Sequence, residues 1–294
     1  MLLNAHPVRT IATDGVLLVD KPSGVTSHDV VAIARRVVRT RRIGHTGTLD
    51  PFATGLLVLL LGRGTRLIQY VQGEPKVYDA TIRFGAETTT DDLTGEVTRE
   101  AELPSSEAVD RAIISLTGAI SQRPPDYSAK KVAGRRAYTA ARAGAPLELA
   151  PVEVTVHEWQ VSRRSASEID VTITCGSGTY IRALARDLGR EVGSAAHLTA
   201  LRRTRSGVFD VANATTIEEL ERDGPSLLPL RSAIPQLPAQ TLSSEESQRV
   251  RHGSTITAQD TAEVIALLGA DGDLVAIAHR DGDVLQPRLV MQDA

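Results

Sequence analysis

The segment Gly44–Leu61, GHTGTLDPFATGLLVLLL, joins a polar, glycine-rich stretch to an aliphatic run. Its first eight residues combine glycines and threonines with His45, Asp50 and Pro51, a composition typical of an ordered loop. The run Leu56–Leu61 has six aliphatic residues, far fewer than the ~20 that span a bilayer. We therefore expect a loop that presents a histidine and a carboxylate, and no membrane span in this segment.

Asp50 and His45 each have a structural interpretation beside a functional one. Aspartate before proline is a common helix N-cap with proline at the first helical position, and composition alone favours this interpretation for Asp50. Composition likewise favours a hydrogen-bonded structural imidazole for His45. The loop is not a phosphate-binding P-loop, because no Gly-Lys-Ser/Thr follows it. Gly176–Gly178 lacks the third glycine of a dinucleotide-binding fingerprint, and the chain has no Gly-x-Ser-x-Gly hydrolase elbow.

Length and composition indicate a globular protein of more than one domain. The chain has 294 residues, a length typical of about two domains. Hydrophobic residues make up 41% of it and aromatic residues 3%, so aliphatic side chains must fill a real core. The single cysteine, Cys175, excludes an internal disulfide framework, and the histidines lack metal-ligand spacing, so we predict no metal site. Residues 1–13 do not resemble a signal peptide, and we expect a soluble, cytoplasmic protein.

The net charge of −3 conceals a strongly uneven distribution of charges. Cations are concentrated in residues 35–42, 123–142 and 182–205, whereas residues 245–293 contain nine acids and four arginines. If the three basic segments converge in space, they form an anion-binding surface on a nearly neutral body. The alternative is that each basic segment is only a solvated face.

Hydrophobic periodicity predicts strands and helices in an irregular order. Gly15–Asp20 is predicted to be a short buried strand, and Val77–Phe84 and Ile169–Cys175 alternate as half-buried strands do. Ser27 is the predicted N-cap of a helix, and Tyr180–Arg190 is a second predicted helix. Because these elements do not follow a βαβ rhythm, the sequence predicts an α+β fold rather than a doubly wound α/β fold.

The end of the chain is predicted to form a small β-rich domain. Pro235 and Pro238 bracket a linker, and glycine and aspartate turns then separate short apolar runs such as Leu274–Ala278. Because residues 239–294 are acidic, we expect them to make few phosphate contacts, to modulate the affinity for an anionic partner only, and to be dispensable for chemistry.

Several segments, in matching order, resemble the motifs of the TruB family of tRNA pseudouridine synthases. Gly44–Leu57 closely resembles the catalytic motif of that family. The other matches are the Lys-Pro motif at Gly15–Gly24, the tyrosine motif at Lys76–Tyr78, the acidic loop at Thr90–Asp92, the arginine motif at Cys175–Arg182 and the Leu-Arg-Arg motif at Leu201–Thr204. The resemblance covers roughly Gly15 to Val211, and the remainder is loosely similar to a PUA domain.

The resemblance implies a pseudouridine synthase fold, in which helices flank a mixed, largely antiparallel β-sheet. It divides the chain into a catalytic domain at 1–237, with a basic RNA-clamping insertion at 123–150, and a short, β-rich PUA-like domain at 238–294. The implied reaction converts uridine 55 in the tRNA T loop to pseudouridine, exchanging the N1 glycosidic bond for a C5 bond. Nothing is oxidised or transferred, so the resemblance implies neither cofactor nor metal. The implied partner is tRNA, and we expect a monomer without membrane attachment.

The same resemblance implies three catalytic residues. Asp50 is the catalytic carboxylate, Arg182 is the partner that holds it, and Tyr78 lies against the target uracil and assists proton removal from C5. The carboxylate can act by attack on C1′ or by removal of a ribose proton, and the sequence does not choose between these routes. The alternation of apolar and polar residues in this strand is equally consistent with Tyr78 as a core side chain, since its side of the strand is otherwise apolar.

The resemblance also implies a set of residues that bind the RNA substrate. His45 occupies the space that the flipped base leaves, and Tyr180 and Leu201 line the pocket. The remaining members of this set are Lys21, Asp92, Lys130, Lys131 and Arg202. Three other functions stay open at this point: a noncatalytic RNA-binding protein, a hydrolase with Asp50 as nucleophile, and an isomerase of a different RNA.

Overall fold

The computed structural model describes residues 14–128, 130–132, 135–136, 145 and 147–292. The prediction for residues 1–13, and part of the insertion predicted at 123–150, lie outside the described residues. The helices are α1 Ser27–Val38, α2 Ser106–Ser115, α3 Ile181–Glu191, α4 Ile217–Asp223 and α5 Ser244–Arg251, with short 3-10 helices at Gly62–Tyr70, Val211–Asn213 and Leu230–Ala233. No helix within these ranges has the length and apolarity that crossing a bilayer requires.

Strands account for most of the regular structure. The first nine are β1 Gly15–Lys21, β2 Ile43–His45, β3 Thr54–Leu61, β4 Lys76–Phe84, β5 Ala86–Thr88, β6 Val97–Glu100, β7 Gly118–Gln122, β8 Lys131–Val132 and β9 Arg135–Arg136. The others are β10 Val152–Arg164, β11 Glu168–Cys175, β12 Ala196–Ser206, β13 Phe209–Asp210, β14 Thr215–Thr216, β15 Ala239–Thr241, β16 Ile256–Thr257, β17 Val264–Leu268, β18 Leu274–Asp281 and β19 Val284–Val290.

The central sheet is mixed and largely antiparallel. Its strand order is β14-β1-β3-β12-β4-β11-β10-β7, with β2 beside β3 and β13 beside β12. The pairs β1–β14 and β3–β12 are parallel, whereas β4 pairs antiparallel with both β11 and β12. The predicted α+β fold with a flanked, largely antiparallel sheet is therefore confirmed.

Strand β4 has one buried and one open side, as its alternating sequence predicts. The buried side packs with β11, α2 and α3 into one apolar core. Its members on β4 are Tyr78, Ala80, Ile82 and Phe84. Leu49 and Ala53, on either side of Asp50, belong to the same core. The loop that carries Asp50 is thus anchored beside Tyr78 by apolar packing.

Strand β3 is buried on both sides, which explains why its sequence is a continuous aliphatic run. Leu57, Leu59 and Leu61 pack against α1 and α4. The alternate residues Leu56, Val58 and Leu60 pack against apolar side chains of β17, β18 and β19. The residues that follow the catalytic loop therefore lie between the N-terminal helix and the C-terminal sheet.

The predicted C-terminal β-rich domain is confirmed as a five-stranded sheet in the order β15-β17-β18-β19-β16. Helix α5 covers one side of this sheet, and the other side shares a core with β1 and β3 through Ala266, Ile277 and Leu289. Arg63 adds a hydrogen bond between the two parts, because its guanidinium donates to the carbonyl oxygen of Met291 at 2.7 Å. Removal of residues 239–294 would expose one side of β3, so we expect the truncated chain to lose stability. That these residues are dispensable for chemistry stays a prediction.

The N-cap of α1 is Thr26, so the prediction of Ser27 was wrong by one residue. The Thr26 hydroxyl accepts from the Asp29 amide at 3.1 Å, and the Asp29 carboxylate accepts from the Thr26 amide at 2.8 Å. This reciprocal capping box uses a carboxylate three residues after the cap. Ser27 is instead buried at 1% exposure, and its hydroxyl is free to bind a different part of the chain.

Candidate active site

Asp50 and Arg182 form a bidentate ion pair at the centre of the molecule. Arg182 Nε lies 2.9 Å from Asp50 Oδ2, and Nη2 lies 3.1 Å from Oδ1. The Arg182 side chain is 5% exposed and that of Asp50 is 35% exposed. Such a fork fixes the plane of the carboxylate through two charge-assisted hydrogen bonds. No helix begins at Pro51, so the N-cap interpretation of Asp50 is wrong.

The remaining donors of Arg182 bind two other segments. Nη1 donates to the carbonyl of Thr90 at 2.7 Å, and Nη2 donates to the carbonyl of Tyr127 at 2.9 Å. Thr90 belongs to the acidic loop, and Tyr127 lies at the start of the insertion. One guanidinium thus joins the catalytic loop, the acidic loop and the insertion.

Lys21 and Ser27 support the loop on either side of Asp50. The buried Lys21 ammonium donates to the carbonyls of Pro22, Val25 and Pro51 at 2.9, 2.8 and 3.3 Å. Burial lowers the pKa of Lys21 to about 8. The Ser27 hydroxyl accepts from the Leu49 amide at 2.9 Å and donates to its carbonyl at 3.1 Å. This position assigns Lys21 to loop support rather than to substrate contact.

Arg203 is the third support of the loop, and the sequence analysis did not single it out. Its guanidinium donates to the carbonyls of Gly47, Thr48 and Leu56 at 3.0, 3.4 and 2.8 Å. Successive residues of a strand point to opposite sides, so Arg203 shares a side with Leu201, whereas Arg202 faces away. Placing the Leu-Arg-Arg motif on a strand would have identified Arg203. Arg202 instead pairs with Asp20 at 2.6 Å.

A cavity of about 260 Å³ lies between the catalytic loop, β4, β12 and the start of α3. Its walls include Asp50, Lys76, Tyr78, Tyr180, Leu201 and Arg203. Tyr78 is buried, and Arg203 lines the cavity together with it. Burial raises the pKa of Tyr78, so the phenol stays protonated at neutral pH. The structure therefore brings Tyr180 and Leu201 beside the three predicted catalytic residues.

His45 lies at the end of β2, and its imidazole makes no hydrogen bond with any residue that the structure describes. Its Nδ1 is buried without a partner there, and its ring centroid lies 5.9 Å from that of His28 in an edge-to-face arrangement. Burial, with the nearby charge of His28, lowers the pKa of His45. The imidazole is therefore neutral at physiological pH, and the interpretation as a hydrogen-bonded structural histidine does not hold.

Asp92 is buried and directed into its own loop. Its Oδ1 accepts from the hydroxyls of Thr90 and Thr94 at 2.7 and 2.6 Å, and its Oδ2 lies 3.6 Å from Arg182. This position suits a residue that shapes the acidic loop behind Arg182. Lys130 is half-buried and does not line the cavity, and the side chain of Lys131 lies outside the described part of the chain.

The arginines of α3 are paired with carboxylates. Arg186 Nη1 lies 3.0 Å from Asp91 Oδ2, and Arg190 Nη2 lies 2.6 Å from Glu87 Oε2. Burial raises the pKa of Asp91 to about 6, although the nearby Arg186 opposes this shift. Arg186 is buried and holds a loop inside the fold, whereas Arg190 is 52% exposed and faces solvent beside Glu87. The anion-binding surface formed by the three basic segments stays a prediction.

The described residues contain no group of three or more His, Cys, Asp or Glu side chains with the proximity that a metal ion needs. The site instead combines a carboxylate, a fixed guanidinium and an aromatic wall. Such a set can stabilise positive charge at a bound sugar carbon, take up a proton, or act as a nucleophile.

Comparison with known protein families gives two consecutive matches. The model for "TruB family pseudouridylate synthase (N terminal domain)" matches residues 35–181. The model for "tRNA pseudouridylate synthase B C-terminal domain" matches residues 182–225. The first match includes Asp50 and Tyr78, and the second begins at Arg182.

Curated relatives are similar over nearly the whole chain. A protein of Thermobifida fusca (strain YX), named tRNA pseudouridine synthase B, is 48% identical over an alignment of 288 positions that covers 94% of this chain and 98% of the relative. A protein of the same name from Arthrobacter sp. (strain FB24) is 43% identical over 94% of this chain and 96% of its own length.

Solved structures share the fold at lower identity. A chain from "Structure of H/ACA RNP bound to a substrate RNA containing 2'-deoxyuridine" superposes with a TM-score of 0.73 at 22% identity, covering 98% of this chain and 88% of that one. A chain from "Crystal Structure of a Cbf5-Nop10-Gar1 Complex" gives 0.71 at 24% identity, with the same coverage. The agreement of fold, family models and relatives shows that the chain belongs to the TruB family of pseudouridylate synthases, which are isomerases.

Proposed function

We propose that the chain isomerises uridine 55 in the T loop of tRNA to pseudouridine, with Asp50 as the catalytic carboxylate. The observation that carries the proposal is the bidentate Asp50–Arg182 pair at a cavity that also contains Tyr78. The name tRNA pseudouridine synthase B of relatives up to 48% identical supports tRNA as the substrate.

The reaction begins when the target nucleotide leaves the stacked loop and enters the cavity, which costs a few kcal/mol. The N1–C1′ bond then breaks, and its electron pair stays with the uracil. Asp50 either bonds to C1′ or takes the C2′ proton, and Arg182 holds the carboxylate in one orientation for both routes. The uracil turns and C5 bonds to C1′, while the Asp50–C1′ bond breaks or the proton returns to C2′. The C5 proton then leaves to solvent and N1 takes up a proton, which gives pseudouridine. Because its phenol is protonated, Tyr78 serves mainly as the wall against which the base turns.

The remaining residues position either the RNA or the loop. In this proposal the neutral His45 fills the space of the flipped base, while Tyr180 and Leu201 line the pocket. Lys130 and Lys131 contact phosphates, which position the RNA without reading its sequence. Lys21 and Asp92 act indirectly, by holding the catalytic and acidic loops.

The proposed organisation places catalysis in residues 1–237, RNA clamping in 123–150, and a short PUA-like domain in 238–294. The C-terminal sheet supports β3 through the shared core, so in this proposal the two domains form one functional unit. We propose that the protein works as a monomer in the cytoplasm.

The test uses an unmodified tRNA transcript and a second transcript in which cytidine replaces uridine 55. We expect pseudouridine at position 55 of the first RNA and none in the second, measured by mass spectrometry of nuclease fragments. The control variant Asp79→Asn changes a carboxylate on the open side of β4 and should retain activity. Pseudouridine at another position, or release of free uracil, would contradict the proposal.

A further inference from the structure

Three cationic side chains line the cavity, and two of them bind the catalytic loop. They are Lys76, Arg182 and Arg203. Arg182 holds Asp50 and the carbonyls of Thr90 and Tyr127. Arg203 holds the carbonyls of Gly47, Thr48 and Leu56, and it lines the cavity together with Tyr78. Neither guanidinium can turn towards a bound base without giving up the loop that it supports.

Lys76 is the cation that remains. It begins β4, where its backbone is fixed between Cys175 on one side and Ser206 on the other. Its ammonium nitrogen lies 3.8 Å from the place that a Cβ on Gly47 would occupy, so the catalytic loop leaves the space beside it open. Its side chain makes no hydrogen bond or ion pair with any residue that the structure describes. Burial, with the nearby charge of Arg203, lowers the pKa of Lys76.

The Lys76 ammonium has no partner of opposite charge in a partly desolvated cavity. It would therefore stabilise an anion that forms beside it more strongly than it would in water. The proposed reaction creates such an anion, because breaking the N1–C1′ bond leaves the electron pair on the uracil. That charge is shared among N1, O2 and O4 of the ring. Asp50 cannot stabilise it, since its own charge is negative, and the neutral hydroxyl of Ser128 is a weaker donor.

We propose that Lys76 is a further catalytic residue, whose ammonium group donates a hydrogen bond to a carbonyl oxygen of the flipped uracil and stabilises the charge that develops on the departing base. The inference rests on the proposed isomerisation of uridine. The ammonium keeps its proton throughout. When C5 bonds to C1′, the electron pair of the ring forms the new bond, and the charge beside Lys76 disappears. The C5 proton then leaves to solvent while N1 takes up a proton, which gives neutral pseudouridine.

The first test compares Lys76→Met and Lys76→Arg with the wild type in single-turnover pseudouridine formation. Removing one preorganised donor to a developing anion typically lowers kcat by about 10²–10³-fold, and we expect this for Lys76→Met with a smaller change in Kd for tRNA. Lys76→Arg keeps the charge and should recover part of the rate. Arg83→Met, on the open side of β4, is the matched control and should keep the wild-type rate.

The decisive test repeats the measurement on tRNA that contains 5-fluorouridine at position 55, following its rearrangement. Fluorine withdraws electrons and makes uracil a better leaving group, so a missing cation matters less. We expect the defect of Lys76→Met to shrink by about tenfold on this RNA. The ratio of the two rates in one preparation does not depend on how much of the protein is folded.

The outcomes separate this inference from the proposed function. A wild-type protein that makes no pseudouridine would refute the proposed function itself. If the wild type is active, an equal defect of Lys76→Met on both RNAs would show that Lys76 supports the fold only. An unimpaired Lys76→Met would overturn the inference directly.

Discussion

The hydroxyl of Ser27 binds both backbone groups of Leu49, accepting from the amide at 2.9 Å and donating to the carbonyl at 3.1 Å. Helix α1 is thereby joined to the residue immediately before Asp50. Ser27→Ala would leave both groups buried without a partner, at a cost of about 1–3 kcal/mol. A displacement of Asp50 by about 1 Å costs up to ~10²-fold in rate, so we expect single-turnover pseudouridine formation to fall by about 10- to 100-fold.

The neighbouring hydroxyl provides the control for this prediction. Thr26→Ala removes the N-cap of α1, at a cost of about 1 kcal/mol, but does not touch the catalytic loop. We expect it to lower the melting temperature while leaving the turnover rate unchanged. If both variants lose stability and neither loses rate, Ser27 does not position Asp50.

Arg182→Lys tests whether the geometry of the guanidinium matters beyond its charge. Lysine retains the positive charge but cannot form the fork with both oxygens of Asp50. We expect turnover to fall by about 10²-fold, with tRNA affinity close to that of the wild type. Arg190→Lys, two turns along α3 and paired with Glu87, should keep its activity. A fully active Arg182→Lys would show that charge alone suffices.

The salt dependence of tRNA binding tests the insertion. Binding of phosphates releases counterions, so affinity should fall steeply with salt despite the net charge of −3. The test variant replaces by Gln the four cations Lys130, Lys131, Arg135 and Arg136. We expect the slope of log affinity against log salt to flatten by up to about one unit per lost contact.

A matched set of cations outside the insertion serves as the comparison. It consists of Arg83, Arg222, Arg251 and Arg288, each replaced by Gln. The slope of this variant should equal that of the wild type. If both variants had the same slope of log affinity against log salt, the cations of the insertion would be solvated and would not contact phosphates.

The interface between the C-terminal sheet and β3 predicts one cooperative unfolding unit. Ile277 is fully buried in the shared core, and Ile277→Ala should cost about 2–5 kcal/mol. We expect a lower melting temperature and faster hydrogen exchange in β3 as well as in β18. Unchanged exchange in β3 would show that the C-terminal domain folds independently.

The sequence predicted the parts of the fold that depend on local patterns. The alternation in Val77–Phe84 and Ile169–Cys175 identified two central strands, because one side of each is buried. The motif resemblance also identified Asp50, Tyr78 and Arg182, which lie at one cavity. Contacts between distant segments were not predictable. The packing of Leu56 against the C-terminal sheet depends on tertiary structure, which a local pattern does not record.

Where a side chain has different surroundings from those expected from the sequence, the difference has a physical cause. Arg202 and Arg203 are adjacent in sequence but face opposite sides of β12, so a motif without a strand assignment does not distinguish them. From composition alone, Arg186 counts as a cation that could bind phosphate. In the structure it forms an ion pair with Asp91 inside the fold. Lys21 is also bound inside the fold, because its ammonium donates hydrogen bonds to three backbone carbonyls.

Asp50→Asn tests the central claim most directly, because it retains the shape of the side chain and removes its charge. Single-turnover pseudouridine formation, a melting curve and tRNA affinity are measured on one preparation. We expect turnover to fall by several orders of magnitude, since an amide cannot attack C1′ or take up a ribose proton. Affinity should stay within about tenfold, or ~1.4 kcal/mol, with the protein folded. A folded Asp50→Asn protein with near-normal turnover would contradict the assignment.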